Sequence, residues 1–415
     1  MKKVLLGTLA VLTLAACSKD EVIQQNPNDA ISFSVTTNKA VSRAADGYCN
    51  KSLPTTFKVW ANVSETEAGG TITYKPYFSG DEYVQDGSTS TYKNKTINRY
   101  WPNEKVSFFA CKNATPTWKA DNSTLVVNNF TVNPTLSEQV DFIYATVKEA
   151  SKPLATAPDK TQKINFRHAL SQIEFAAINE NTKIHVEISS VSVKNVYNNG
   201  NFEFPTESTV NNIAGAVTGN IHNPLPSDQT IANQGKWTVS TASKGNYTAD
   251  LGTPAVVVKS TSTSLTVTDP ADQEWNPNTM YLMPYGKKAT EYIPIWDGTG
   301  KATDSNAAYF QINAKIWNVA ATTDATPGTV NKTTDLVLYN GDIAVKMPDN
   351  TVWEQGKRYV YTFKFTKTGN GGSNPTTGDP VLTPITLEVT VDDFVDGFPY
   401  TDGDKTIDGT VNMNK

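Results

Sequence analysis

The residue types that commonly catalyse reactions or ligate metals do not combine into a recognisable site in this chain. The three histidines, His168, His185 and His222, lack the spacing of metal ligands. A packed or hydrogen-bonding role is the simpler interpretation of His168. The chain has no G-x-S-x-G nucleophile motif and no phosphate-binding loop, because Gly298-Thr299-Gly300-Lys301 has the character of a turn. We therefore predict that the protein is not an enzyme and holds no cofactor.

Two other sets of side chains leave a binding role open. Loop carboxylates have the chemistry to bind Ca²⁺, but solvated loops are the simpler interpretation, and no metal site is predicted. These carboxylates are Asp81, Glu82, Asp86, Asp402 and Asp404. Aromatic residues of the second half have the chemistry to stack on sugars, but packing in a core or at a sheet edge is the simpler interpretation. These aromatics are Trp275, Tyr281, Tyr285, Tyr292 and Trp296.

The first 16 residues have the form of a secretory signal. A basic Met1-Lys2-Lys3 precedes an apolar run of 13 residues, Val4–Ala16, which is too short to cross a bilayer core. The run ends in Leu14-Ala15-Ala16-Cys17, which resembles a bacterial lipobox. That resemblance implies that Cys17 becomes the diacylated, then N-acylated, first residue of the mature protein. The alternative is an ordinary signal peptide with an incidental cysteine. The following Ser18-Lys19-Asp20-Glu21 resembles the acidic export tag of Bacteroidetes surface lipoproteins, or is a solvated tether.

Composition narrows the class of protein further. Without the signal about 400 residues remain, which is enough for two or three domains with real cores. The net charge of −5 does not provide a basic surface for nucleic acid. Cys49 and Cys111 remain after Cys17. They have the chemistry to pair in an oxidising compartment, or they are two unpaired buried cysteines.

Alternating hydrophobic patterns predict a chain made of β-strands. Ile31, Phe33 and Val35 share one face of Ile31-Ser32-Phe33-Ser34-Val35, the pattern of a half-buried first strand. Similar strands recur about every ten residues with turn signals between them, which is typical of β-sandwiches. Two polar stretches, Ala150–Lys163 and Pro205–Lys236, are predicted to be loops.

Four ordered landmarks resemble the fimbrillin-like family of Bacteroidetes, whose members build type V pili. They are Tyr100-Trp101-Pro102, Val106-Ser107-Phe108-Phe109-Ala110, Asp141-Phe142-Ile143-Tyr144-Ala145 and Phe166-Arg167-His168-Ala169-Leu170-Ser171-Gln172-Ile173. The resemblance implies an all-β chain with two tandem transthyretin-like, Greek-key β-sandwich domains. The resulting division is a signal peptide (1–16), a lipidated tether with first strand and propeptide (17–45), an N-terminal sandwich (46–165) and a C-terminal sandwich (166–415).

The family resemblance also implies a mechanism of assembly. A lipoprotein precursor reaches the outer membrane, and an arginine-specific protease removes the lipidated segment together with the first strand. On this interpretation the cut falls between Arg43 and Ala44, and Ile31, Phe33 and Val35 belong to the displaced strand. A neighbouring subunit then refills the exposed groove with an extended segment. Candidate donors in this chain are Ile385–Val391 and the tail Phe398–Lys415.

The predicted function is therefore a structural subunit of a type V fimbria that supports adhesion. Its expected partners are other fimbrial subunits, the protease, the outer membrane before processing, and a host or bacterial surface ligand. Its expected location is the outer membrane as a surface-exposed precursor and the fimbrium afterwards. The alternative is a cell-surface glycan-binding lipoprotein tethered permanently through Cys17. A secreted hydrolase lacks a convergent acid, base or nucleophile.

Overall fold

A computed structural model describes most of the chain as β-structure. It describes residues 29–36, 54–87, 89–209, 234–267, 278–285, 293–319, 330–349, 351–368, 371–393, 401–402 and 405–406. Within these ranges the helical elements are 3₁₀ turns, among them Leu136–Glu138 and Ala302–Asp304. No helix of the described ranges has the length and apolar character needed to cross a membrane. The all-β class predicted from the sequence is confirmed.

The strands divide into those of the first 170 residues and those that follow. The first group is β1 (Phe33–Thr36), β2 (Thr56–Thr66), β3 (Ile72–Gln85), β4 (Thr91–Asn94), β5 (Val106–Lys112), β6 (Thr117–Trp118), β7 (Leu125–Thr131), β8 (Ile143–Ala150), β9 (Gln162–Asn165) and β10 (Arg167–His168). The second group is β11 (Ser171–Asn179), β12 (Ile184–Tyr197), β13 (Asn199–Glu203), β14 (Lys236–Val239), β15 (Lys244–Asp250), β16 (Val256–Val257), β17 (Thr263–Ser264), β18 (Met280–Leu282), β19 (Tyr309–Asn318), β20 (Val337–Val345), β21 (Lys357–Phe365), β22 (Gly371–Ser373), β23 (Pro380–Asp393), β24 (Thr401–Asp402) and β25 (Lys405–Thr406).

The N-terminal sheet has eight strands in the order β10-β8-β5-β2-β3-β4-β1-β9. Its two end strands, β9 and β10, are separated in the chain by Phe166 alone. Because consecutive Cα atoms lie about 3.8 Å apart, the two ends of the sheet must approach each other, and the sheet curls. Its inner face encloses an apolar core that includes the side chains of Ile31, Phe33 and Val35.

The second large sheet has eleven strands and belongs to the second half of the chain. Nine of them follow the order β15-β12-β19-β20-β22-β23-β21-β11-β17, while β16 pairs with β12 and β18 pairs with β11. Strands β11 and β21 run parallel, from Gln172 opposite Arg358 to Asn179 opposite Phe365. The inward faces alternate along each strand, so that Tyr359, Tyr361, Phe363 and Phe365 of β21 are all buried.

A smaller sheet joins the two halves of the chain. Its order is β14-β13-β7-β6, so two strands come from before residue 165 and two from after it. A closed set of hydrogen bonds lies beside it: Gly235 N donates to Tyr144 Oη at 3.0 Å, and Tyr144 Oη lies 3.1 Å from Gln355 Oε1. Gln355 Nε2 completes the ring by donating to Gly235 O at 2.5 Å. These contacts connect the two sandwiches, whose predicted division at residues 165 and 166 remains a prediction.

Of the two cysteines beyond the signal, Cys111 lies in the described structure. It is buried in β5, and its thiol donates to Ala114 O at 3.5 Å. Burial raises the pKa of this thiol to about 12, so it stays protonated and a poor nucleophile at neutral pH. Cys49 lies outside the described residues, so the pairing of the two cysteines stays open.

One ion pair is fully buried between β11 and β21. Arg358 Nε and Nη2 donate to Glu174 Oε2 at 2.9 and 2.5 Å. The other carboxylate oxygen accepts from Gln172 Nε2 at 2.8 Å and from Thr279 Oγ1 at 3.2 Å. The Glu174 carboxylate thus links β11 to β21 through Arg358 and to the segment before β18 through Thr279.

Replacing Arg358 with Met should destabilise the protein strongly, because it leaves the Glu174 carboxylate buried without its cation. We expect a loss of about 3–5 kcal/mol in the free energy of unfolding, measured by urea denaturation. The exposed Lys364–Glu388 pair on β21 and β23 provides the control. Glu388→Ala should cost less than about 1 kcal/mol, and equal effects of the two substitutions would contradict this account.

Candidate functional site

The first strand of the chain lies inside a sheet rather than at its edge. Strand β1 pairs antiparallel with β4, where Phe33 faces Tyr92 and Ser34 faces Thr91. On its other side β1 pairs parallel with β9, from Phe33 opposite Gln162 to Thr36 opposite Asn165. We call the space between β4 and β9 that β1 occupies the seat.

Pairing extends the seat towards the N-terminus beyond β1 itself. Ala30 forms an antiparallel bridge with Tyr100, and Ile31 N donates to Arg99 O at 2.6 Å. Trp101 N donates to Asp29 O at 3.2 Å. The segment 29–36 therefore has backbone partners over its whole described length, from residues 99–101 and β4 on one side and from β9 on the other.

Three side chains of the segment point into the core. Ile31, Phe33 and Val35 are 2%, 0% and 4% exposed. The two serines between them, Ser32 and Ser34, are only half-buried. This is the alternation that the sequence predicts. Burying three such side chains contributes about 1.5–3 kcal/mol each, so the seat is an apolar groove that needs an occupant.

The Phe33 side chain lies among three aromatic rings, which we call the aromatic box. Its ring centroid lies 4.8 Å from Tyr83, 5.2 Å from Phe108 and 6.2 Å from Phe57, and each contact is edge-to-face. This arrangement is the one that aromatic quadrupoles favour. Burial raises the pKa of Tyr83 well above its usual value, so its hydroxyl stays neutral. The floor of the seat is thus apolar and uncharged under Phe33.

The β9 wall of the seat is held by a residue from far along the chain. Thr209, which has no exposed surface, lies between β8 and β9. Its backbone N donates to Thr146 O at 2.8 Å, and its Oγ1 lies 2.9 Å from Asn165 O. Thr146 N donates back to Thr209 Oγ1 at 3.0 Å, and Asn165 Nδ2 donates to Thr209 O at 3.2 Å. We call this arrangement the seam, because it closes the curled sheet between its two ends.

The seam fixes β9 independently of β1. Without it, β9 would have only β1 as a hydrogen-bonded strand neighbour. With it, β9 is attached to β8 through Thr209 and to β10 through Phe166. The β9 wall is therefore not held by β1 alone.

The sequence-predicted residues fall into two groups. Ile31, Phe33 and Val35 come together in the seat, while Cys17, Arg43 and Ala44 lie outside the described residues. The polar stretches predicted to be loops contain parts of the site: Gln162 and Lys163 begin β9, and Thr209 is buried in the seam. Only Ile164 gives β9 an apolar signal, and nothing local to Thr209 marks it as buried.

The other candidate groups have structural partners. Asp81 accepts from Arg99 Nε at 2.6 Å, while Glu82 and Asp86 pair with Lys95 and Lys93. His168 Nδ1 lies 2.9 Å from Asp141 Oδ2, and His185 Nε2 lies 3.1 Å from Glu187 Oε1. His222 and Asp404 lie outside the described residues. Among the described residues, no group of three or more His, Cys, Asp or Glu could hold a metal ion.

The aromatic residues considered for sugar stacking lie in the core. Tyr281, Tyr285 and Trp296 are each less than 5% exposed. Their rings are therefore unavailable to a sugar, and the packing interpretation is the correct one for them. Trp275 and Tyr292 lie outside the described residues.

Removing the Phe33 ring should destabilise the N-terminal sheet. We expect Phe33→Ala to lower the free energy of unfolding by about 3–5 kcal/mol, because the surrounding rings cannot collapse into the hole. Ser34→Ala, on the opposite face of the same strand, is the control and should cost less than about 1 kcal/mol. Urea denaturation measures both values, and similar losses for the two variants would refute the aromatic box.

Thr209→Val should loosen the seam, because the Thr146 N–H and the Asn165 carbonyl lose the hydroxyl between them. We expect a cost of about 1–3 kcal/mol. Hydrogen exchange should locate it as faster exchange of the β9 amides. Thr71→Val, at the exposed β2–β3 turn, is the control. Unchanged β9 exchange in Thr209→Val would show that the seam does not hold this wall.

Comparisons with known proteins identify a matching family and similar solved structures. A sequence model described as fimbrillin-like matches residues 42–285, which are 244 of the 415 residues. No curated protein matches. A fimbrial protein from Bacteroides vulgatus is 14% identical, with a TM-score of 0.51 over 88% of this chain and 99% of that chain, and it shares the fold. The tip fimbrial protein Mfa3 from Porphyromonas gingivalis, solved with a C-terminal truncation, is 11% identical with a TM-score of 0.35, covering 88% of this chain and 99% of that chain.

The family match covers more than half of the chain and includes the walls of the seat, β4 and β9. The residues that resembled fimbrillins in the sequence, from Tyr100 to Ile173, fall within the matched range. The chain belongs to the fimbrillin-like family.

Proposed function

We propose that this protein is a structural subunit of a type V fimbria that is exported as a lipoprotein precursor, cleaved after Arg43 and polymerised by strand exchange. One observation carries the proposal: the first strand fills an apolar seat between two other strands. Loss of a strand in that position leaves two rows of unpaired backbone groups with an apolar groove between them, which another strand can fill. Family membership supports a fimbrial, cell-surface role.

Cleavage would change how β1 is held without changing its contacts. The residues between Thr36 and Thr56 connect β1 to β2, and the Arg43–Ala44 bond lies within that connection. A covalently attached strand stays at an effective concentration on the order of millimolar at its seat. Hydrolysis of the bond abolishes that advantage, so a segment of another subunit can compete for the same groove.

The vacated seat would be a strong acceptor. Loss of β1 exposes the unpaired backbone groups of β4 and β9 on either side of a groove that contacts Phe33. Unpaired strand edges beside apolar surface favour the addition of another strand. An extended segment gains main-chain hydrogen bonds along both walls and buries alternate side chains between them.

Before processing, the precursor would be attached to the outer membrane through lipid on Cys17. The cut after Arg43 removes Cys17 and β1 together, which links release from the membrane to opening of the seat. The processed subunit would then belong to the fimbrium and support adhesion with its other subunits. The glycan-binding alternative is not supported by its described aromatic residues, because they are buried.

The donor segment needs to be free of its own sheet. Ile385–Val391 is paired residue by residue with β21, from Ile385 opposite Phe365 to Val391 opposite Tyr359. Its use as a donor would break the second sheet, which disfavours it. The tail Phe398–Lys415 remains as the donor candidate within this chain.

Mature protein isolated from cell surfaces should begin at Ala44, as determined by mass spectrometry of its N-terminus. Arg43→Ala should instead retain lipidated Cys17 and abolish the protease- and heat-resistant ladders expected of the polymer. Lys39→Ala, which removes a basic residue from the same connection between β1 and β2, is the control and should leave the Ala44 terminus in place. Lipidated Cys17 as the sole start of the unaltered protein would refute the processed subunit and leave a permanently tethered lipoprotein.

A further inference from the structure

We propose that the seat selects its occupant by one bulky aromatic side chain at the position of Phe33. The strand it accepts would carry a β-branched residue, an aromatic residue and a second β-branched residue at alternate positions. The region Phe394–Lys415 of a second copy of this chain does not meet that requirement. The inference rests on the proposed strand exchange and specifies the partner at the same site.

The packing of the aromatic box allows it to distinguish a large occupant side chain from a small one. Its members are held by further rings as well as by Phe33: Phe57 lies 4.8 Å from Tyr92 and 5.1 Å from Phe166. Phe108 lies 5.5 Å from Trp101. Because Phe57 and Phe108 are packed against these further rings, we expect that they do not close around a small side chain and that an occupant without a large ring leaves a cavity.

The flanking positions add a second requirement. Ile31 and Val35 are buried on either side of Phe33 in an apolar core, where burial of an unpaired charged side chain is costly. The alternate positions, Ser32 and Ser34, are small and half-buried. The accepted segment therefore matches the spacing of Ile31-Ser32-Phe33-Ser34-Val35.

The region Phe394–Lys415 does not provide the required pattern of side chains at any register. Each set of three alternate residues between Phe394 and Lys415 contains a glycine or a polar or charged residue. The two best sets are Ile407, Gly409 and Val411, with glycine at the aromatic position, and Phe398, Tyr400 and Asp402, with a carboxylate where Val35 is buried. The occupant that the seat fits is thus a strand with the pattern of Ile31, Phe33 and Val35, which residues 394–415 do not carry.

Peptide exchange into the processed protein tests this selection. The full chain is cleaved after Arg43 with an arginine-specific protease and incubated with a fluorescent peptide of residues 26–39, which contains the original first strand. Fluorescence anisotropy follows its uptake. Uncleaved chain is the control and should take up none, because its own strand stays attached.

Three unlabelled competitor peptides then test the aromatic ring, the position of the ring and the sequence of residues 394–415 separately. In the first, Phe33 is replaced by Ala, which should weaken competition by roughly a hundredfold or more. In the second, Ile31 and Phe33 are exchanged, which preserves composition and mean hydropathy but moves the ring out of its box. The third is a peptide of residues 394–415. We expect the exchanged peptide and the C-terminal peptide to compete far less than the unaltered 26–39 peptide.

The outcomes separate the inference from the proposed function. If the C-terminal peptide competes as well as the 26–39 peptide, or if the alanine or exchanged peptide does so, the selection is wrong and strand exchange stands. If the labelled 26–39 peptide fails to enter the cleaved protein, the seat does not reopen, and the proposed strand exchange fails together with the inference. Uptake restricted to peptides with the ring at position 33 supports both.

Discussion

Strand β1 has hydrogen-bonded neighbours on both sides although it is the first described strand of the chain, and this pairing constrains the rest of the N-terminal sheet. A terminal segment at a sheet edge leaves one row of backbone groups exposed when it departs. A segment in the middle leaves two rows and the groove between them. Because Phe33 and its two neighbours also fill the core at that point, the sheet cannot relax into a smaller closed structure by losing β1 alone.

The second half of the chain supports this arrangement from a distance. Thr209 reaches back to the gap between β8 and β9, and Tyr144 of β8 takes part in the hydrogen-bonded ring with Gly235 and Gln355. Thr209 lies 44 positions from Asn165 and 63 from Thr146 in sequence, and Gly235 lies 91 positions from Tyr144. The wall at β9 therefore depends on the second half of the chain being folded, which ties the formation of the seat to the whole molecule. Such long-range pairing is also the kind that forms slowly in folding.

The sequence predicts well those features that depend on the residues of a single strand. Ile31, Phe33 and Val35 alternate with two serines, and that local pattern identifies both the strand and its buried face. The β9 wall has no comparable signal, because Gln162, Lys163 and Asn165 are polar and the strand has a single buried apolar residue, Ile164. Thr209 is one polar residue in a polar stretch, and its burial follows only from the closing of a curled sheet. The family resemblance identified the fold, but the pairing of β1 with β9 depends on register between distant segments, which no local pattern encodes.

The same geometry explains how the proposed exchange can act on a strand that is firmly held. Burial of Ile31, Phe33 and Val35 stabilises the seat by several kcal/mol, on the basis of about 1.5–3 kcal/mol for each side chain, so a strand that is cut from the chain does not leave an empty groove spontaneously. Its departure becomes favourable only when another segment takes over the burial and both rows of hydrogen bonds. The free energy of exchange is therefore the difference between the binding free energies of two strands at one site. A single side chain can change that difference even though each strand stabilises the protein strongly. For that reason the proposed selection of a partner is assigned to the aromatic box around Phe33, rather than to the backbone pairing that any strand can supply.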